Sequence, residues 1–544
     1  MSTTMYFFKL ALFTGLGYGL WKLISRIYWV HSSPLSSLCG PRSSSLLTGN
    51  MNEFVQNTSV HHYWTKEYGK VFKVGGLLGE SQLFIVDPKA INHIITHSVD
   101  YQKPPEARKA TKRIFGGDGI IFAEGDTHRY QRRLLNPSFG PSAIKELVPI
   151  FFEKALQLRE ILSNDISTHE YSPKKVDILP WLSRTTLDVI GLAGFNYQFE
   201  ALNIEKGPNP LNKALSTIFN ADGSLGFFRI LQAMIPILTY IPTKRGKVEL
   251  LAKETMLGIA EELVKKRKDV LSGSSKTSEE DEVIRDAGPD LLTTLVAANM
   301  DAEISEAQRM SHEELISQIP TLFIAGHETT STQTTWALYL LCQRKDIQER
   351  LYHEVASVPT ETPSADELFD LPFLDSVVRE TMRIQSAISA SSRVAMRDDL
   401  IPVSEPFKDK YGIDHTEIRI RKGETIILSI HALNCLTDIW GNDALDFNPD
   451  RWLKVPEAAR DIPGIWGNIM TFLGGSRSCI GYRFALYEMK VLLFTLIRSF
   501  TFELAVPADK IEGRVFGVTR PYVKGDNTSG SQLPVILRSR IAKA

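Results

Sequence analysis

The sequence predicts a mainly α-helical protein with a smaller β component, built as one large domain behind an N-terminal membrane anchor. Three observations carry this. Apolar residues recur at helical spacing through most of the chain, most clearly after Ser311 and after Tyr482. Strand signals gather in residues 71–86, which carry Gly75, Gly76 and Gly79, and in residues 393–430, which include the β-branched run 416–430. No break in composition divides residues 51–544 into independent units.

The anchor comes first. Residues 5–24 read MYFFKLALFTGLGYGLWKLI, about the ~20 residues that cross a bilayer core. Lys9 and Lys22 lie near the ends, where their stems reach the interface. Tyr6, Tyr18, Trp21, Tyr28 and Trp29 supply interfacial aromatics. Lys22, Arg26 and Arg42 come after the apolar run, and the positive-inside rule keeps the body cytosolic. An amphipathic helix lying on the surface is the alternative to a span. Residues 1–30 are therefore assigned to the anchor and the Ser-, Pro- and Gly-rich residues 31–50 to a linker.

Composition narrows the function of the body. The 544 residues are 43% hydrophobic and 23% charged, with a formal net charge of -1. No basic block suggests nucleic acid. The cysteines Cys39, Cys342, Cys435 and Cys479 form no C-x-x-C pair. This argues against a disulfide scaffold and a Cys-rich zinc site, and for a reducing compartment around the body. No repeat points to a solenoid.

Ser311 and Glu314 form a capping box that starts a helix running to about residue 344. Pro320 is expected to kink it or split off its first turns. Residues 365–384 form a second helical stretch, residues 447–452 a Pro-bearing loop, and residues 482–500 a strongly apolar helix. The polar residues 272–286 read as an exposed loop.

The most informative stretch is FLGGSRSCIG, Phe472 to Gly481, directly before that apolar helix. Its glycines let the backbone turn tightly and approach a flat ligand. A thiolate at Cys479, just before a helix N-terminus, is stabilised by unpaired amides and the helix dipole. Arg477 is a cation suited to a carboxylate. A lone cysteine is more often a buried structural residue, but the full pattern F-x-x-G-x-R-x-C-x-G is highly specific. It resembles the haem-binding loop of the cytochrome P-450 family, with Leu473 standing where that family has a small or polar residue.

Further matches appear in the family's order. Glu328 and Thr329, in Ala325-Gly326-His327-Glu328-Thr329-Thr330, are an adjacent acid and alcohol that could pass protons toward a buried centre. The resemblance places them over the distal haem face, with Ala325 and Gly326 leaving room for oxygen and substrate; His327 reads as a satisfied polar residue. Glu380 and Arg383 stand at i and i+3, and the resemblance buries them with Arg451 as a structural triad. In residues 125–139, His128 replaces a tryptophan of the family pattern and Arg132 is retained. Both are expected at a haem propionate, as is Arg393, although Ser386-Ala387 replaces a usual proline pair. Gly40-Pro41 resembles the end of the family's hinge, with Cys39 in place of a proline.

The resemblance implies a cytochrome P-450 fold carrying haem b, with Cys479 as axial ligand. It implies cofactor contacts from Phe472, Arg477, Gly481, His128, Arg132 and Arg393, and proton delivery by Glu328 and Thr329. The implied activity is monooxygenation of a lipophilic small molecule in fungal secondary metabolism. The implied location is the endoplasmic reticulum membrane, with electrons from an NADPH-dependent reductase and from cytochrome b5. The chain has no G-x-G-x-x-G module of its own, so NADPH acts only indirectly. The substrate pocket is expected around residues 117–122, 219–240, 387–392 and 516–518, beside the Ala325 helix face. A haem-thiolate isomerase or dehydratase needs no reductase, and a non-catalytic haem-binding protein consumes no NADPH; these are the alternatives.

Overall fold

The computed structural model describes residues 24–167, 174–203, 243–272, 290–301, 303–526 and 528–540, with isolated positions between 13 and 21. Most of the expected membrane segment, the pocket stretch 219–240 and nearly all of the polar stretch 272–286 lie outside these residues. Among the described residues, no helix is long and apolar enough to cross a membrane. Those described between 13 and 28 include Phe13, Leu20, Trp21, Ile24, Ile27 and Tyr28, all exposed.

The helix His312–Gln343 is the axis of the molecule, buried along most of its length. It begins as the capping box predicts: the Ser311 hydroxyl accepts from the Glu314 amide, and the Glu314 carboxylate accepts from the Ser311 amide. Pro320 does not split it; one helix runs through all 32 residues. Helix Ile178–Phe195 packs along it, and helix Tyr482–Ser499 also packs against it. The stretch 365–384 divides into Ala365–Phe369 and Pro372–Ile384. Pro372 at the first turn of the second helix disfavours a helical residue before it, which sets the break at Leu371.

The β component is a five-stranded mixed sheet and smaller satellites. Val71–Gly75 pairs antiparallel with Ser81–Ile85, which pairs parallel with Thr425–Ser429. Ala390–Ala395 and then Tyr101–Gln102 complete it, both antiparallel. A hairpin of Ile511–Phe516 and Val518–Val523 docks on the central helix, where Trp336 Nε1 donates to Thr519 O at 2.7 Å. Within the stretch read as a linker, Leu35 and Leu38 belong to the core, and the Ser33 hydroxyl donates to buried Glu424 at 2.6 Å. That stretch packs on the body.

The Glu380 triad lies at the start of the segment leading to the cysteine loop. Arg383 meets Glu380 through two bonds, Nε to Oε2 at 2.9 Å and Nη2 to Oε1 at 2.8 Å. Arg451 Nε donates to Oε1 at 3.3 Å, and Trp452 Nε1 to Oε2 at 3.1 Å. The Pro-bearing loop forms the 3-10 turn Pro449–Leu453 that brings Arg451 and Trp452 there.

Candidate active site

The loop before helix Tyr482–Ser499 folds back on itself. The Cys479 amide donates to Phe472 O at 2.9 Å, and Phe472 is buried between the rings of Trp466 and Tyr482. Gly475 needs its positive φ of 66°, a backbone region costly to other residues. Leu473, the departure from the family pattern, also sits at a positive φ of 56°. Gly481 adopts an ordinary φ of -89°, and a Cβ there would meet only Phe139 at van der Waals distance. Its contribution is its amide, which hydrogen-bonds to Cys479.

Cys479 is the exposed member of the four cysteines. Burial nevertheless pushes its thiol up, while the Gly481 amide and the Arg132 guanidinium pull the other way. Cys435, by contrast, is enclosed, and its thiol donates to Arg383 O at 3.6 Å.

Around this loop the protein gathers basic side chains. Arg132, on helix Gly125–Leu135, donates to Ser478 O at 2.5 Å. His128, one turn earlier on that helix, is buried; desolvation, then Lys103 and Arg132, lowers its pKa to about 4, so it is neutral at pH 7. Arg393 is buried in strand Ala390–Ala395, donating to Ser391 Oγ at 2.7 Å and Ser392 O at 2.8 Å; burial lowers it to about 10. Arg477 pairs with Glu124 and donates to Ala123 O. Lys103 is held well below its ordinary value by burial and by Arg393, Arg477 and Arg108. Among the described residues, Glu124 is the only carboxylate ion-paired with any of these cations, and Arg108 Nε is buried without a partner. Clustered cations facing one carboxylate beside an exposed cysteine suit a ligand with two carboxylates and a thiol-binding metal centre. Haem fits this donor set. Lys103, Arg108 and Glu124 were not legible as members, because scattered surface-like charges in sequence give no signal of convergence.

On the central helix, Thr329 and Ala325 share a half-buried face, with the Thr329 hydroxyl donating to Ala325 O at 2.7 Å. Gly326 does not open space for a ligand: a Cβ there would meet Ile190 Cγ1 at 2.9 Å, so the glycine lets helix Ile178–Phe195 approach. His327 is buried, with Nδ1 2.8 Å from Phe323 O and Nε2 3.1 Å from Glu328. Glu328 is buried and ion-paired with Arg520 of the C-terminal hairpin, a partner 192 residues away that no local pattern announces. Burial acts to raise the Glu328 pKa, but Arg520 and His327 outweigh it and hold it near 2. A depressed carboxyl pKa stabilises the fold above its ordinary value, 4.5, and that stabilisation is lost as pH falls toward 2. Glu328→Gln is therefore expected to lower Tm at pH 7, with the deficit shrinking through that window. Parallel Tm curves for the two proteins would refute the ion pair.

The comparisons with known proteins agree with this geometry. The cytochrome P450 family model matches residues 40–524. Cytochrome P450 monooxygenase 205 of Postia placenta is 44% identical over 96% of both chains, and monooxygenase 128 of the same fungus is 41% identical over 97% of both. Cytochrome P450 monooxygenase claP of Ampulloclitocybe clavipes is 33% identical over 95% of both. The fold and site thus define a haem-thiolate monooxygenase. The chain belongs to the cytochrome P450 family, whose members carry haem on a cysteine thiolate.

Proposed function

We propose that the enzyme inserts one oxygen atom from O2 into a lipophilic organic substrate, by hydroxylation or epoxidation, with Cys479 as the proximal haem ligand. The carrying observation is the exposed residue Cys479, hydrogen-bonded by the Gly481 amide and set beside Arg132 among clustered basic side chains. His128, Arg132, Arg393 and Arg477 would hold the propionates, and Phe472 would shield the sulfur side. When bound, haem supplies oxygen activation and oxygen transfer; a thiolate ligand favours O–O cleavage. The protein's own part is binding, orientation and proton supply.

Glu328 and Thr329 carry the proton supply in this reading. Glu328 reaches a proton only by loosening its contact with Arg520, so the hairpin acts as a restraint on delivery. Thr329 is already on the accessible helix face. Thr329→Ala is expected to lower product formed per NADPH consumed by about tenfold or more. Unchanged coupling, with haem spectra intact, would remove Thr329 from the relay.

Electrons would come singly from an NADPH-dependent reductase, with cytochrome b5 as a second donor. The pocket reading is supported by three segments that meet the central helix or the C-terminal hairpin. Ile120 N donates to Gln318 at 2.9 Å, Ala387 N donates to Gln333 at 2.9 Å, and Thr519 N donates to Ala387 O at 2.7 Å. The exposed apolar side chains of residues 13–28 support anchoring at the endoplasmic reticulum membrane with the body in the cytosol. In this reading the enzyme tailors a fungal secondary metabolite, a role that rests on the family resemblance. Reconstitution with a fungal reductase and a panel of terpenoids, fatty acids and aromatics tests the reading: substrate-dependent NADPH consumption with oxygenated product is expected, and none across the panel opposes it.

A further inference from the structure

Beside the Glu380 triad, His62, His431 and Cys435 bring one ligand atom each to within 4.8 Å of one another. We propose that these three side chains form a second metal site, for a zinc-class divalent ion, with water in the fourth position. His431 and Cys435 lie at i and i+4, on the last turn and C-cap of helix Ile430–Asn434, so both point to one side. His62 comes from helix Val60–Tyr68, and its ring lies against His431 with centroids 4.4 Å apart.

The chemistry suits zinc. Imidazole and thiolate are its preferred donors, and three protein ligands with an open position are a common set. His62 Nε2 is buried without a hydrogen-bond partner, and in the tautomer that leaves its lone pair free it is available to an ion. Tetrahedral zinc places N and S donors roughly 3.3–3.6 Å apart, so binding requires the cluster to contract by about an ångström. On binding, a Zn–S bond forms and the Cys435 S–H proton leaves to buffer, with no change of oxidation state. Arg383, paired with Glu380, lies close enough for its charge to act on all three side chains.

The surroundings hold the two ligand-bearing helices in register. His61 Nδ1 lies 3.0 Å from Ser429 Oγ, and that hydroxyl also caps helix Ile430–Asn434 by accepting from Ala432 N. A bound ion would tie the N-terminal helix to the segment carrying Arg383's carbonyl partner Asn434. With three protein ligands and an exchangeable fourth position, the site is of the open kind rather than the closed four-ligand kind.

The test uses the full-length, haem-loaded protein, stripped with a chelator that leaves haem in place and titrated with Zn²⁺. One equivalent is expected to bind, with affinity lowered at least tenfold by Cys435→Ser and by His431→Asn. Co²⁺ in the same wild-type protein is expected to give a thiolate-to-cobalt charge-transfer band. No saturable equivalent, unchanged affinity in both variants, or cobalt binding without that band would each overturn the proposal. The cobalt arm needs no substitution, so misfolding of a variant cannot rescue it.

Discussion

Arg383→Ala is expected to destabilise the protein by about 3–5 kcal/mol, the loss typical of breaking a buried ion pair from one side. Both Arg383 and Glu380 are fully buried, and their bond is two-pronged. Removing the guanidinium also strips donors from Asn434 O at 3.1 Å and Ala444 O at 2.7 Å. Buried carbonyls left without partners add to the cost. Arg451, Trp452 and the Asn448 amide still reach Glu380, which places the loss toward the lower end. Urea unfolding monitored by tryptophan fluorescence measures it. A loss below about 1 kcal/mol would mean that the triad is not the tie between these segments.

Gly474→Ala is expected to cost about 3 kcal/mol, at the upper end of overpacking penalties, and to reduce haem retention. An added Cβ would lie 1.8 Å from Pro463 O and 2.9 Å from Ile95 Cδ1. Ile95 can turn aside, but a backbone carbonyl cannot move without shifting the chain that faces the cysteine loop. Gly475, the next residue, is packed as closely on the same segment: a Cβ added there would lie 2.5 Å from Ile95 O. Haem content per chain and Tm, compared with wild type, read both effects. Full haem occupancy with unchanged Tm would show that the loop tolerates a wider approach. Gly481 offers the contrast: with ordinary φ and only a loose neighbour, Gly481→Ala should be far milder in the protein's own packing.

Helices with strong caps and apolar periodicity were legible in the sequence, as the Ser311 box shows, because the signals are local. The cysteine loop was legible for the same reason. The partners of Glu328 and Arg477 were not. Arg520 reaches Glu328 through a hairpin whose docking depends on the whole fold, and Glu124 reaches Arg477 across 353 residues. Gly326 misled in a different way: the family resemblance gave it to oxygen and substrate, whereas an added Cβ there would meet Ile190. Pro320 does not divide its helix, since a helix this deeply packed can lose a hydrogen bond and continue. Position in a motif gives residue type and order, while contacts across the fold decide what each residue can do.

Every functional role assigned above depends on Cys479 being the thiolate ligand of the haem iron. The carbon-monoxide difference spectrum of the reduced protein, taken on wild type and on Cys479→Ser at equal haem loading, tests it directly. A strongly red-shifted Soret band in wild type, absent from Cys479→Ser and retained in Cys435→Ser, is the expected result. Retention of that band in Cys479→Ser, or its loss only in Cys435→Ser, would contradict the assignment.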